Sequence, residues 1–125
     1  MTWIHDLKNS VDGGASLFPV VRTASANGTA VDLLTTDGGG FAVVLTGTLT
    51  DGTHNISLEE GDASNGSDAV AITGATQAIA ATDDNTQFII NFRRSKRYVR
   101  AVTTLGSATT GGIVGVAIYA MKKAG

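Results

Sequence analysis

Five cationic side chains, Arg93, Arg94, Lys96, Arg97 and Arg100, fall within eight consecutive residues of FRRSKRYVRAV, in a chain with nine lysines and arginines in all. A cluster this dense can grip phosphate, pair with the carboxylates of a protein partner, or merely solvate a turn. Proteins that bind single strands of nucleic acid join a basic groove to several aromatic platforms. Here only Tyr98 adjoins the cluster and the net charge is -2, so direct nucleic-acid binding is not expected. Docking onto a carboxylate-rich protein surface is, because arginine binds carboxylates bidentately and is favoured at interfaces. RRSKR reads as the turn of a β-hairpin, since Phe92 ends one alternating strand and Tyr98 begins another. Arg100, two residues beyond Tyr98 and on its face, is expected to make a cross-strand pair or an intersubunit contact.

The remaining reactive residues support little chemistry. His5 and His54 stand in no motif with a mechanism. Glu59 and Glu60 are neighbours on a predicted strand, so they point to opposite faces and do not converge as an acid and base pair. GDASNGSD offers Asp62, Asn65 and Asp68, but its spacing is not that of a calcium loop and its residues are the usual ones of turns. DGGG (Asp37 to Gly40) enters a strand, whereas phosphate cradles enter a helix N-terminus; it reads as a tight turn. No enzyme activity, cofactor or metal is expected.

Charge is unevenly distributed. Residues 1 to 92 hold all 11 acidic groups with only Lys8 and Arg22 as bases, and residues 93 to 125 hold seven bases and no acid. The two parts attract, either within a monomer, through C-terminal strands and acidic loops, or between monomers as head-to-tail or ring contacts. With 125 residues and no cysteine, the chain is one domain's length and has neither a disulfide framework nor a thiolate metal site. The start, MTWIHDLKNSVDGG, lacks a basic run leading into an apolar one, and no segment approaches the roughly 18 apolar residues of a membrane span. Cytosolic synthesis and no membrane partner are expected.

Sixteen glycines, one proline and short β-branched runs separated by turn signals predict an all-β fold. It would be a single antiparallel β-sandwich or jelly-roll-like barrel of about eight strands, with a short N-terminal arm. The strands are expected at Leu17 to Arg22, Thr29 to Leu33, Phe41 to Thr48, His54 to Glu60, Ala69 to Thr73, Gln87 to Arg93, Arg97 to Thr104 and Ile113 to Met121. Alternation places Ile56, Leu58, Phe88, Ile90 and Phe92 in the core. FAVVLTG is apolar on both faces, as in a central strand covered on both sides or one whose second face meets another subunit. Pro19 marks an edge or a strand beginning. Residues 1–14 form the arm and 15–125 the sandwich; Trp3, Ile4 and Leu7 give the arm one apolar face, for its own core or a neighbouring subunit.

AVDLLTTDGGGFAVVLTGTLTDGTHNISLEEGDASNGSDAVAI runs strand, glycine turn, long apolar strand, TDGT hairpin and LEE strand with a polar loop. TQFIINFRRSKRYVRAVTTLGSATTGGIVGVAIYA follows. Together, over residues 28 to 120, they resemble the head decoration, or capsid cement, proteins of tailed bacteriophages. The resemblance implies a non-enzymatic virion protein, made in the host cytoplasm, that binds the major capsid protein on the outer capsid surface and reinforces the lattice, often as a homotrimer. Within that expectation Arg93, Arg94, Lys96 and Arg97 steer docking, WIHDL tethers a neighbour, and FAVVLTG and IVGVAIYA supply core and intersubunit faces. The alternatives are a phage tail or neck structural protein and a carbohydrate-binding β-sandwich, though Trp3, Tyr98 and Tyr119 are too scattered for an aromatic sugar platform.

Overall fold

The computed structural model describes residues 7–123. A single helical turn, α1 (Leu7–Ser10), leads into nine strands: β1 (Val11–Arg22), β2 (Ala26–Asn27), β3 (Val31–Asp32), β4 (Thr36–Leu49), β5 (Thr53–Gly61), β6 (Val70–Gln77), β7 (Gln87–Arg93), β8 (Tyr98–Gly106) and β9 (Gly112–Lys122). They form two antiparallel sheets. The first has the order β1-β9-β4-β7; the second has β2-β8-β5-β6, with β3 also on β8. The fold is the expected β-sandwich. Each predicted strand is present, and the two-residue β2 is additional.

The core lies between the sheets and follows alternation. Ala42 and Val44 of β4, Ile56 and Leu58 of β5, Ile90 and Phe92 of β7, and Val116 and Ile118 of β9 are all buried, with Phe88 packed against them. Removing a valine, leucine, isoleucine or phenylalanine side chain from water stabilises the fold by about 1.5–3 kcal/mol. The five core residues expected from alternation thus face inward. Pro19 lies in β1, an edge strand, at a register shift between Leu17 and Val20 opposite β9. An edge tolerates the missing N–H donor.

Three local expectations give way. Val11–Gly14, placed in the arm, are the first residues of β1 and pair with β9 from Met121 to Ile118. DGGG is no turn: Asp37 to Gly40 belong to β4. A Cβ at Gly40 would stand 2.5 Å from the Tyr119 carbonyl oxygen and 2.7 Å from the Phe92 ring, so glycine lets these neighbours close in. The TDGT and RRSKR segments are not hairpins either. Each carries the chain from one sheet to the other, β4 to β5 and β7 to β8. The same turn residues serve a hairpin or a crossover; what decides is where each strand's apolar face finds cover.

Candidate docking surface

The basic segment is held in place by acids from earlier in the chain. Glu59 and Arg100 are directly opposed on β5 and β8, and Arg100 Nε and Nη2 donate to Glu59 Oε1 at 3.0 and 2.8 Å. This pair is largely shielded, with side chains 16% and 23% exposed. Gly66, at φ 74°, brings the 61–68 loop so close to the Arg100 guanidinium that a side chain there would collide with it. Arg97 binds Asp32 in fork geometry, Nε to Oδ1 at 2.9 Å and Nη2 to Oδ2 at 2.7 Å, and lies 5.0 Å from the Tyr98 ring centre. The pairing moves both groups: Arg97 holds the Asp32 carboxyl below its ordinary range, and Asp32 raises the guanidinium.

The crossover itself is shaped by Arg94 and Glu60. Arg94 Nη2 donates to the Thr36 carbonyl at 2.7 Å and Nη1 to the Lys96 carbonyl at 3.0 Å, so this arginine ties the crossover to the start of β4. Glu60 Oε1 accepts the Ser95 and Lys96 backbone N–H groups at 2.6 and 2.9 Å. Lys96 Nζ stands 3.6 Å from Asp62, with both side chains about half exposed or more. Of the five cationic side chains, that of Arg93 alone makes no hydrogen bond or ion pair among the described residues. It is exposed on β7 opposite Gly39. The charge asymmetry is therefore answered largely within the monomer, and Arg100 makes a cross-strand pair. Trp3 and Ile4 lie outside the described residues, as does His5; Leu7 begins α1.

The other candidate residues have structural partners. His54 is buried, and its Nε2 donates to the Asp51 carbonyl at 2.9 Å. Asp68 accepts the Asp62 and Ala63 N–H groups at 2.9 and 3.1 Å, and Asn65 Oδ1 accepts that of Ser67 at 3.0 Å. These bonds fold the GDASNGSD loop on itself, and the Asp62 N–H is the main cause of a lowered Asp68 carboxyl. Among the described residues no three such groups stand close enough to share a metal ion.

Asp51 went unnoticed in the sequence. Its carboxylate accepts the Thr109 hydroxyl at 2.5 Å and the N–H groups of Thr109, Thr110 and Gly111. These donors, the hydroxyl foremost, hold its carboxyl far below the ordinary range. TDGT and SATTGG look like two unrelated turns, and nothing local in either announces that one caps the other.

The second surface is the outer face of the first sheet. Outward positions on the two central strands are Phe41, Val43 and Leu45 on β4, and Ile113, Ala117 and Tyr119 on β9. One ladder row runs Ala15, Ala117, Val43, Ile89 across all four strands, and the next pairs Tyr119 with Phe41, ring centres 6.0 Å apart. Leu45 is 54% and Ile89 49% exposed. A shallow groove of about 170 Å³ crosses this face, bordered by Ala15, Pro19, Val43, Leu45, Gly115 and Ala117. The double-sided apolar character of FAVVLTG is thus a buried inner face and an open outer one. The outer face of the second sheet is mostly polar and charged along its central strands, with Asn55, Ser57 and Glu59 on β5 and Arg100, Val102 and Thr104 on β8.

Among the described residues no helix is long and apolar enough to cross a membrane. No protein-family model matches this chain, and no curated protein matches it.

Proposed function

We propose that this chain is a non-enzymatic virion structural protein that binds the major capsid protein on the outer surface of a phage capsid lattice and stabilises it. The observation that carries the reading is the form of its exterior. The basic cluster is largely tied into intramolecular pairs, and beside it stand the outward apolar residues of β4 and β9 and, on β7 of the same sheet, Arg93, whose side chain has no partner among the described residues. Such a molecule presents surfaces, and repeated weak surface contacts add through multivalency on a lattice. Rigid β structure limits the ordering cost of docking. The resemblance over residues 28 to 120 supplies the lattice and the homotrimer.

In this reading Arg93 and Lys96 steer docking toward carboxylates, while Arg94 and Arg97 hold the crossover that presents them. Trp3, Ile4 and Leu7 tether a neighbour, and nucleic acid is not a direct partner. Quantitative mass spectrometry of purified virions tests the assignment. A copy number that scales with the capsid lattice is expected. A copy number matching a single ring would assign the chain to the tail or neck, and absence from the particle would end the virion reading.

A further inference from the structure

We infer that the free edge of β7 is a strand-addition site, where an extended segment of a protein partner pairs with Gln87–Arg93 through its backbone and brings a carboxylate to Arg93. Phase decides which backbone groups are on offer. At the two ends of the β4–β7 ladder, the Thr46 N–H donates to the Thr86 carbonyl at 2.9 Å and the Arg94 N–H to the Gly38 carbonyl at 2.6 Å. The register between them is unbroken, so Phe88, Ile90 and Phe92 turn their backbone groups toward β4. Antiparallel pairing then turns those of Gln87, Ile89, Asn91 and Arg93 the other way. These four residues are exposed, and β7 pairs with no strand but β4. Their N–H and C=O groups have no partner among the described residues.

The other edges are blunted in the ways that sheets guard against stray pairing. β1 carries Pro19 and two register shifts, and its Ser16 carbonyl is already taken by the Thr29 N–H at 2.8 Å. β2 and β3 have two residues each. β6 loses register with β5 between Ser57 and Glu59, and passes through Gly74 at φ 81°. β7 has seven residues with no proline, glycine or bulge. Its single charge, Arg93, stands at its very end.

The side chains of β7 describe the segment that fits. On the outer face Ile89, 49% exposed, suits an apolar neighbour, and Gln87 and Asn91 suit neighbours that exchange hydrogen bonds. Arg93 suits a carboxylate, and it has none among the described residues. Opposite charges and matched apolar groups placed across a strand pair stabilise it, and like charges oppose it. Every ladder of this sandwich is antiparallel. In that sense the partner's acid, opposite Arg93, lies four residues before the apolar residue opposite Ile89. Backbone bonds at such an edge supply affinity for extended chain, and alternate side chains select the sequence. The inference does not rest on the capsid reading, since the segment is defined by its chemistry whatever protein supplies it.

Selection of a displayed library of random peptides on the immobilised full chain tests it, followed by amide hydrogen exchange with and without the most enriched peptide. In the free chain the amides of Gln87, Ile89, Asn91 and Arg93 are expected to exchange about a hundredfold faster than those of Phe88, Ile90 and Phe92. The enriched peptides are expected to carry an acid four residues before an apolar residue, and the bound peptide to slow those four amides. Asn91→Pro removes an outward N–H and leaves the β4 ladder whole, so it should keep the fold and weaken the peptide by about tenfold or more. Arg93→Gln is expected to weaken it by about threefold and to flatten its salt dependence. Should Asn91→Pro lose its fold, the peptide N-methylated at alternate residues makes the same test on the unaltered chain: one phase should abolish binding and the other spare it. Outward amides already protected in the free chain, no enriched peptide, enriched peptides without an acid, or binding indifferent to Asn91→Pro or to the phase of methylation would overturn the inference.

Discussion

The two outer faces of this sandwich follow the same pleat and ladder rules but meet water in opposite ways. On the central strands of the second sheet, outward positions are polar or ionic apart from Val102, and Glu59 pairs across the strands with Arg100. On the first, the outward rows are Phe41 with Tyr119 and Val43 with Ala117 and Ile89. The inner faces are equally apolar, so the fold does not require the difference. What differs is the outside.

The comparison can be broken most forcefully along β9 and β4. Ile118→Ala, at a fully buried inward position, is expected to cost about 2–5 kcal/mol in urea unfolding. Leu45→Ala on the outer face is expected to change monomer stability by less than about 0.5 kcal/mol. Equal costs would mean that the outer face is already covered within the monomer. On the second sheet, Glu59→Gln leaves a shielded guanidinium short of its acceptor and is expected to cost about 1–2 kcal/mol. A loss near zero would reduce the pair to an ordinary surface contact.

A stabilising change sharpens the view of the core. Thr103 is buried on β8, and its hydroxyl has no hydrogen-bond partner among the described residues. Thr103→Val keeps the shape and removes the unsatisfied group, so unfolding should become harder by about 1 kcal/mol. Lower stability in the variant would reveal a partner for that hydroxyl, such as a bound water.

Acid should act through the loops rather than the apolar face. Asp51 is held well below the ordinary aspartate value of about 3.9, chiefly by the Thr109 hydroxyl. The folded state therefore takes up the proton less readily than the unfolded one. The stabilisation is complete above about pH 4 and is lost as pH falls through the lowered value. Asp51→Asn removes it at neutral pH, so thermal melts of variant and wild type should converge in acid; a constant gap would refute the role. The smallest effect is expected for Asp32→Asn, whose pair with Arg97 is close to half exposed and screened by water and salt.

Much of this fold is legible from alternation. Ile56, Leu58, Phe88, Ile90 and Phe92 repeat with the strand period, and Pro19 marks an edge because it cannot donate to a ladder. The sheet assignment is not legible, since RRSKR and TDGT carry the same turn residues whether the next strand pairs beside them or crosses over. DGGG misleads for a related reason: glycine marks tight turns, but Gly40 marks close approach by Phe92 and Tyr119. In the candidate surface, Arg100 is identifiable as a cross-strand residue from its offset to Tyr98. Which cation remains unpaired is not, because Asp32, Glu59 and Asp62 reach the cluster from distant positions in the chain.

The most direct measurement is the number of copies bound to expanded capsids lacking this protein, separated by sedimentation as salt is raised. The wild type should saturate at a lattice-like copy number, weaken with salt, and bind less when Arg93 and Lys96 are both replaced by glutamate. No saturable binding, or binding indifferent to salt and to those substitutions, would contradict the account.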